Sequence, residues 1–420
     1  MSLVNGFSKL NKEKKIDWLV QEFLSEDKNY ESILKQYWNT DDKLQALHDD
    51  FIENSISNYY LPLGIAPNFV INNRSYAVPM VIEESSVVAA ASLVAKLWSS
   101  KGGFSTEVLG TEKIGQIHLQ YDGGFQELKE IYESSMAEMI EATEALTVNM
   151  RKRGGGITKV ELRDKSADLK DYYQIHVSFD TRDSMGANFI NSCLEAMAKV
   201  VASKGVEVIM SILSNYVPNC VVRATVSCPV EELPVENAME FAKKFKRAVD
   251  IARIEPYRAV THNKGIMNGI DSVVLATGND FRAIEAGAHA YAARNGQYSS
   301  LSSCEIQDGQ FSFSLELPLA LGTVGGLTAL HPLAQFSMDV MGRPNAAELM
   351  QITAAVGLAQ NFAALRALVT SGIQEGHMKM HLSNILNQEG IQGEKRAQVE
   401  DYFKDKTISH KAVLEFIEQL

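Results

Sequence analysis

Apolar residues recur at helical spacing over several segments of this 420-residue chain. Residues 9–24 and 30–38 combine that spacing with many Lys, Asp and Glu residues, which predicts helices on a surface. Residues 85–97 are small and apolar after two serines, which predicts a buried helix with a Ser cap. Residues 346–371 are almost uncharged on every side, and we expect a second buried helix that ends at Gly372.

The pattern changes between residues 110 and 215, where alternating segments separate amphipathic ones. We predict strands at 113–121, 158–162, 173–179 and 206–213, and helices at 125–151 and 188–203. The order β-α-β-β-α-β is that of the ferredoxin-like split βαβ motif, an antiparallel sheet with helices on one face.

Residues 216–375 return to the composition of the apolar region before residue 110, so the sheet domain interrupts a larger one. The predicted fold class is α+β. A large, mostly helical domain comprises residues 1–109 and 216–375, the inserted sheet domain spans 110–215, and 376–420 form a small helical C-terminal segment. After a pair of glycines this tail could act as a flap or be a fixed subdomain.

Composition narrows the function classes. Hydrophobic residues make up 45% of the chain and charged residues 22%, as in ordinary globular proteins. A net charge of −12 argues against nucleic acid or an anionic membrane as the main partner. We find no apolar run near membrane-spanning length and no signal peptide, and the four cysteines contain no CxxC pair. We therefore expect a reduced, cytoplasmic protein.

The strongest chemical signal is the segment from Thr261 to Asp271, in which Lys264 stands among Gly, Asn and apolar residues, with Asp280 downstream. The segment suggests a packed, closely turned structure. A Lys in apolar surroundings is a tunable cation that an Asp can keep charged, and such a cation can stabilise an oxyanion. A buried ion pair is the simpler alternative. The polar groups crowded around Lys264 favour a substrate site, and they are Arg258, Thr261, His262, Asn263 and Asn268.

Other motifs leave two interpretations each. Glu83 and Glu84 precede the apolar helix and could cap it or supply a protonated acid. The turn from Asp183 to Asn188 could approach a phosphate through its Gly186, or could be a capped turn. His377 could be a surface residue or a mobile acid, and with His381 it lacks the further ligands of a metal site. Residues 151–153, Arg-Lys-Arg, suit a solvated helix end or a phosphate.

Several of these segments together resemble one enzyme family. The chain contains Glu-Glu-Ser-Ser-Val-Val-Ala-Ala from residue 83, Asp-Ser-Met-Gly-Ala-Asn from 183, Pro-Tyr-Arg-Ala-Val-Thr-His-Asn-Lys-Gly-Ile-Met-Asn-Gly-Ile-Asp from 256, Ala-Thr-Gly-Asn-Asp from 276 and Gly-His-Met from 376. This order is similar to that of 3-hydroxy-3-methylglutaryl-coenzyme A (HMG-CoA) reductases, specifically the class II, bacterial-type form without a membrane domain. The resemblance extends from about residue 50 to 385.

The resemblance implies a four-electron reduction of HMG-CoA to mevalonate and coenzyme A by two NAD(P)H. It implies that Lys264 stabilises the oxyanion, that Asp280 holds and tunes Lys264, that Glu84 is the acid of the aldehyde step, and that His377 protonates the leaving thiolate. It also assigns substrate-binding residues: Ser86, Asn215, Arg258, Thr261, Asn268 and Gln360. The cofactor would bind a non-Rossmann site on the inserted domain: Thr147, Asp183, Met185, Gly186 and Asn188.

Two departures from the family pattern carry consequences. Residues 53–57 are Glu-Asn-Ser-Ile-Ser where the family often has Glu-Asn-Val-Ile-Gly, which puts the details of that turn and a dimer contact in doubt. Thr147 stands where NAD-preferring members have an Asp, so we expect NADPH rather than NADH. We also expect a homodimer or higher even oligomer and no metal. The alternatives are NAD-dependent mevalonate oxidation by the same residues, and a noncatalytic protein that binds coenzyme A or a nucleotide.

Overall fold

The computed structural model describes residues 4–24, 29–370, 382–383, 385–404, 406 and 408–420. The chain forms two compact units, residues 1–62 and 63–420. The boundary at 62 does not coincide with any domain boundary expected from the sequence.

The first unit is helical, as predicted. Its helices are α1 (Lys12–Phe23), α2 (Tyr30–Gln36) and α3 (Asp42–Asp49). Each begins at a polar cap whose side chain accepts backbone N–H groups, namely Asn11, Asn29 and Asp41.

The second unit begins with a hairpin of β1 (Leu63–Ile71) and β2 (Arg74–Val81), followed by α4 (Val87–Ser99). It also contains an antiparallel sheet that the sequence analysis did not predict. In spatial order, its strands are β3 (Ser105–Val108), β8 (Val221–Pro229), β10 (Gln310–Pro318) and β9 (Ser302–Gln307). The expectation of a mostly helical large region was therefore incomplete.

The inserted βαββαβ order predicted for 110–215 is confirmed. Its elements are β4 (Lys113–Gln120), α5 (Gly124–Ala142), α6 (Glu144–Lys152), β5 (Gly156–Asp164), β6 (Tyr172–Asp180), α7 (Ala187–Ser203) and β7 (Glu207–Ser214). The strands pair antiparallel in the order β5-β6-β4-β7 and have their own apolar core. The single helix expected at 125–151 is two helices, because the helix is interrupted at Thr143.

The remaining helices between residues 238 and 369 belong to the second unit. They are α8 (Ala238–Ile254), α9 (Pro256–Ala276), α10 (Phe281–Ala292), α11 (Gly326–Leu330), α12 (Pro332–Val340) and α13 (Ala346–Val369). Among the described residues, α13 alone is long and apolar enough to cross a membrane, but 67% of its apolar window is buried in the protein. It is the core helix predicted from its composition. Toward the C-terminus, α14 (Gly393–Tyr402) and α15 (His410–Ile417) share a small apolar core.

Helices α9 and α13 approach each other closely at two glycines. A Cβ on Gly269 would lie 2.9 Å from the Val356 carbonyl oxygen, and one on Gly357 would lie 2.5 Å from Ile270 Cδ1. The contact at Gly269 is with backbone, which cannot move aside, so this spacing requires glycine there; at Gly357 the Ile270 side chain would have to shift. The close approach fixes the position of α9, on which most of the candidate site is built.

Candidate active site

The segment around Lys264 is one continuous helix, not the closely turned stretch expected from its Gly and Asn residues. Pro256 occupies the first turn, and the Glu255 carboxylate accepts the backbone N–H groups of Tyr257 and Arg258 at 3.3 and 2.7 Å. Burial of one whole face of the helix outweighs the weak helix propensity of its residues.

The opposite face of α9 is a polar stripe. Arg258, Thr261, Lys264 and Asn268 follow one another at intervals of three or four residues, which places them on the same side of the helix. All four are exposed or half-buried. The helix therefore presents a row of cationic and hydrogen-bonding groups to an incoming ligand.

Glu84 meets this stripe from the loop between β2 and α4. Lys264 Nζ lies 2.8 Å from Glu84 Oε2, and Asn268 Nδ2 donates to the same oxygen at 3.3 Å. The side chains of Lys264 and Glu84 are 62% and 38% exposed, so a ligand can reach both. The structure thus joins two residues that stand 180 positions apart.

His262 and Asn263 do not belong to this group, contrary to the expectation that they crowd around Lys264. His262 Nε2 lies 2.7 Å from Ser302 Oγ, and Asn263 donates to the Ser299 carbonyl at 2.9 Å. Burial, followed by the charge of Arg258, lowers the pKa of His262 to about 3, so this imidazole is neutral at physiological pH. Both residues anchor the buried face of α9.

Asp280 does not contact Lys264 within this chain. Its carboxylate caps α10 by accepting the backbone N–H groups of Arg282 and Ala283, and it pairs with the Arg282 side chain at 3.1 Å. Asn279 N donates to the Val274 carbonyl, so Asp280 stays near the C-terminal end of α9. At the rise of an α-helix, that end lies about 18 Å from Lys264, farther than the two side chains can span. The expected direct pair is therefore absent from the single described chain.

Two expected substrate residues have polar atoms that the described residues leave unmatched. The Arg258 guanidinium is half-buried without a carboxylate partner in the described part of the chain, and burial lowers its pKa. Gln360 on α13 is 7% exposed, and its Oε1 is buried without a donor among the described residues. Gln360 Cβ lies 3.0 Å from the Cβ position of Gly269, so Gln360 borders α9. A bound ligand could satisfy both groups.

The other expected substrate residues lie nearby in the fold or at its edges. Ser86 precedes α4 with a left-handed φ of 75°, two residues after Glu84. Thr261 donates to the Tyr257 carbonyl at 3.2 Å and is exposed. Asn215 follows β7 and lines a cavity of about 20 Å³ with Met185 and Lys113.

The expected cofactor turn leads directly into α7. Gly186 occupies the N-cap position with a φ of 94°, and a Cβ there would lie 2.5 Å from Thr181 Cγ2. The first turn of α7 has no acidic residue and no side-chain cap, so its N–H groups remain available for an anion. The Asp183 carboxylate does not cap α7; it accepts the N–H of Ala346 at 2.9 Å and so ties the turn to α13. Asn188 is exposed.

The position of Thr147 differs from the one expected for a residue that binds the cofactor. It is 4% exposed and its hydroxyl donates to the Glu144 carbonyl of its own helix at 3.2 Å, so this structure does not present it to a cofactor. The exposed groups at that helix end are Arg151, Lys152 and Arg153. His377, with Gly376 and His381, lies outside the described residues.

The structure adds three features that the sequence analysis missed. Gly265 lies in the α9 stripe, and apart from the adjoining helix backbone no described atom lies within 4 Å of its Cβ position. Lys113 is buried beneath the turn that precedes α7. Asp271 is largely buried against Glu285, and burial followed by that neighbouring carboxyl raises its pKa to about 8. No sequence signal distinguishes Lys113 from an ordinary lysine at the end of a strand. The place of Gly265 on the polar stripe, by contrast, follows once α9 is known to be a helix.

Known proteins resemble the chain over most of its length. The family model of hydroxymethylglutaryl-coenzyme A reductase matches residues 13–382. A 3-hydroxy-3-methylglutaryl-coenzyme A reductase from Archaeoglobus fulgidus is 38% identical, over 100% of this chain and 95% of that protein. A class II reductase from Streptococcus pneumoniae, described as bound to NADPH in open conformations, superposes with a TM-score of 0.74 at 37% identity. That match covers 87% of this chain and 99% of the other.

Proposed function

This chain belongs to the hydroxymethylglutaryl-coenzyme A reductase family, and we propose that its α9 stripe and Glu84 form the centre at which the acyl group of HMG-CoA is reduced. The enzyme is an oxidoreductase of the mevalonate pathway that converts HMG-CoA to mevalonate and coenzyme A. NADPH supplies one hydride to the thioester carbon and a second to the aldehyde carbon.

The observation that carries the proposal is the hydrogen-bonded pair of Lys264 and Glu84 on an accessible surface. When the thioester carbonyl becomes tetrahedral, negative charge develops on its oxygen, and the Lys264 ammonium stabilises that charge. The thioester C–S bond then breaks, the thiolate takes a proton, and an aldehyde remains. Glu84 donates the proton that the aldehyde oxygen requires in the second reduction. Asn268 holds the Glu84 carboxyl in place beside Lys264.

The substrate carboxylate binds at the start of α9. The half-buried guanidinium of Arg258, which has no carboxylate partner among the described residues, offers two parallel N–H groups to a carboxylate. One helical turn farther along, Thr261 adds a hydroxyl, and Ser86 lies close to Glu84 in sequence. The buried Gln360 Oε1 requires a hydrogen-bond donor, which the substrate hydroxyl supplies. Asn215 completes the polar set from the inserted domain.

The dinucleotide binds at the N-terminus of α7. The left-handed Gly186 and the uncapped first turn support a diphosphate there. Met185 and Asn188 flank this turn, and Asp183 keeps it against α13. The exposed Arg151, Lys152 and Arg153 favour NADPH over NADH, since they can meet a 2′-phosphate. Because residue 147 is Thr and not Asp, no carboxylate at this position repels that phosphate.

The complete site requires a second copy of this chain. Because Asp280 is too far from its own Lys264, it can tune a Lys264 only across a homodimer interface. Mixing Lys264→Ala chains with Asp280→Asn chains tests this arrangement. In mixed dimers one of the two sites is intact, so activity above that of either variant alone is expected, whereas none would contradict the shared site.

His377 is proposed as the acid that protonates the coenzyme A thiolate, in a C-terminal segment that acts as a flap. A histidine is suited to this step because it titrates near neutral pH. The cytoplasm is the proposed location, because all four cysteines are buried and free. No metal is assigned a role, and no cluster of potential metal ligands occurs among the described residues.

The direct experiment follows absorbance of the reduced nicotinamide with HMG-CoA and each cofactor. Two molecules of NADPH should be consumed for each mevalonate formed, with a lower kcat/KM for NADH. A clearly higher kcat/KM with NADH would instead favour mevalonate oxidation as the working direction. Absence of acyl-dependent consumption with both cofactors would contradict the assignment.

A further inference from the structure

Lys113, the first residue of β4, is a buried lysine outside the proposed catalytic centre. It is 5% exposed, and its Nζ donates to Thr181 Oγ1 at 2.6 Å and to the Ser184 carbonyl at 2.7 Å. Both acceptors lie in the turn that leads from β6 into α7. The ammonium therefore lies directly beneath the backbone that begins α7.

The charge of Lys113 is not neutralised by a direct ion pair in the described part of the chain. Asp180 accepts the backbone N–H of Arg182 and pairs with its side chain, and Asp183 accepts the N–H of Ala346. Burial lowers the pKa of Lys113, and these two carboxylates and Cys220 offset that effect only in part. A buried cation whose contacts are neutral oxygens costs stability. Its presence is therefore better explained by a role of the charge than by a contribution to the fold.

The hydrogen bonds of the turn do not depend on this lysine. Thr181 Oγ1 itself donates to the Ser184 carbonyl at 2.6 Å, so the turn stays closed when the ammonium is removed. The left-handed Gly186 lies so close to Thr181 that an added Cβ would stand 2.5 Å from Thr181 Cγ2, and this constraint does not involve Lys113. Lys113 therefore contributes a charge that the geometry of the turn does not require.

That charge lies at a helix end that attracts anions. The N–H groups at the start of α7 carry partial positive charge, and Lys113 adds a full charge on the protein side of the same turn. We infer that Lys113 is a positioning residue that strengthens binding of the cofactor diphosphate at the Thr181–Ala187 turn. This inference rests on the proposed function, in which that turn binds the dinucleotide.

The test measures NADPH binding by nicotinamide fluorescence in Lys113→Met, with Lys113→Gln as a second uncharged variant that keeps a donor. The Kd for NADPH should rise about tenfold, as expected for loss of one nearby charge in a protein interior. The KM for HMG-CoA and kcat at saturating NADPH should change less than about threefold. Thermal unfolding should begin no earlier than in the unaltered protein, because a buried charge has been removed.

Competition with ADP and with adenosine separates a diphosphate effect from a general change in shape. The Ki for ADP should rise in both variants, while that for adenosine should not. Lys204→Met removes an exposed lysine of the same domain, one paired with Glu138, and should change neither constant. An equal rise in Ki for ADP and for adenosine, or an unchanged Kd for NADPH, would exclude the proposed role of Lys113.

A variant of the turn separates failure of this inference from failure of the proposed cofactor site. Gly186→Val places a branched side chain where a Cβ alone would meet Thr181, so it should abolish NADPH binding if the turn is the site. If folded Gly186→Val binds NADPH normally, the proposed site itself is wrong. If Gly186→Val loses binding but Lys113→Met and Lys113→Gln keep it, only the role of Lys113 is wrong.

Discussion

Gly265→Ala should stabilise the protein and impair the enzyme. Apart from the adjoining backbone of α9, no atom of the described residues lies within 4 Å of the Cβ position of Gly265, so there is space for a methyl group. Alanine in a helix interior is favoured over glycine by about 1 kcal/mol, and the free energy of unfolding should rise by that amount. The same methyl group projects into the stripe between Arg258, Lys264 and Asn268, where we place the acyl group. A shift of about 1 Å in that group can cost about 100-fold in rate.

Gly269→Ala, one helical turn later, is the matched control. Its methyl group would meet the Val356 carbonyl and Gln360 Cβ at 2.9 and 3.0 Å, so α9 and α13 must separate. Overpacking of this kind costs about 1–3 kcal/mol, which offsets or exceeds the gain in helix propensity. Urea unfolding and kcat/KM for HMG-CoA measure the two effects. Full activity in a stabilised Gly265→Ala enzyme would show that substrate does not occupy the space beside Gly265.

Three further variants probe separate parts of the site. Asp271→Asn should stabilise the fold by an amount that grows as pH rises from about 4 toward 8. The raised pKa of Asp271 means that the folded protein holds this proton more tightly than the unfolded chain does, so the wild-type protein loses stability over that range. An equal gain in thermal stability at pH 4 and pH 8 would contradict this. Glu84→Gln should lower reduction of added mevaldehyde by about 100-fold or more, since the amide cannot donate an acid proton, and near-normal turnover would exclude Glu84 as that acid. Arg258→Lys should raise the KM for HMG-CoA about tenfold without changing that for NADPH, because one ammonium cannot replace a bidentate guanidinium.

The inserted domain was predictable because each of its elements has a clear local period. Apolar residues alternate with polar ones in β6 and recur at helical spacing in α7. The ends of both elements therefore differ from the predicted ones by at most one residue. The sheet of the larger region carried a comparable signal in β10, where Phe311, Phe313 and Leu315 alternate with serines and are buried. This alternation carries little weight when residues 216–375 are assigned from their overall composition, because the long helices of that region dominate it.

The conformation of α9 could not be predicted from local preferences. Its Gly and Asn residues favour turns, and burial of one face of the helix, including Gly269 against α13, makes a long helix the better solution. The approach of Glu84 to Lys264 depends on that helix and on the hairpin before α4, so it emerges only in three dimensions. The separation of Asp280 from Lys264 follows from the same helix length. The burial of Lys113 could not be recognised from the sequence, because a single lysine at the start of a strand is usually exposed.

We propose that Lys264, paired with Glu84, stabilises the oxyanion formed from the HMG-CoA thioester. The most direct test compares Lys264→Met with Lys244→Met, which alters an exposed lysine on α8. Both are assayed for NADPH consumption with HMG-CoA, after NADPH binding shows that each is folded. We expect Lys264→Met to bind NADPH but to lose about 100-fold or more in kcat, while Lys244→Met is unaffected. Normal HMG-CoA turnover by Lys264→Met would exclude Lys264 as the group that stabilises the oxyanion.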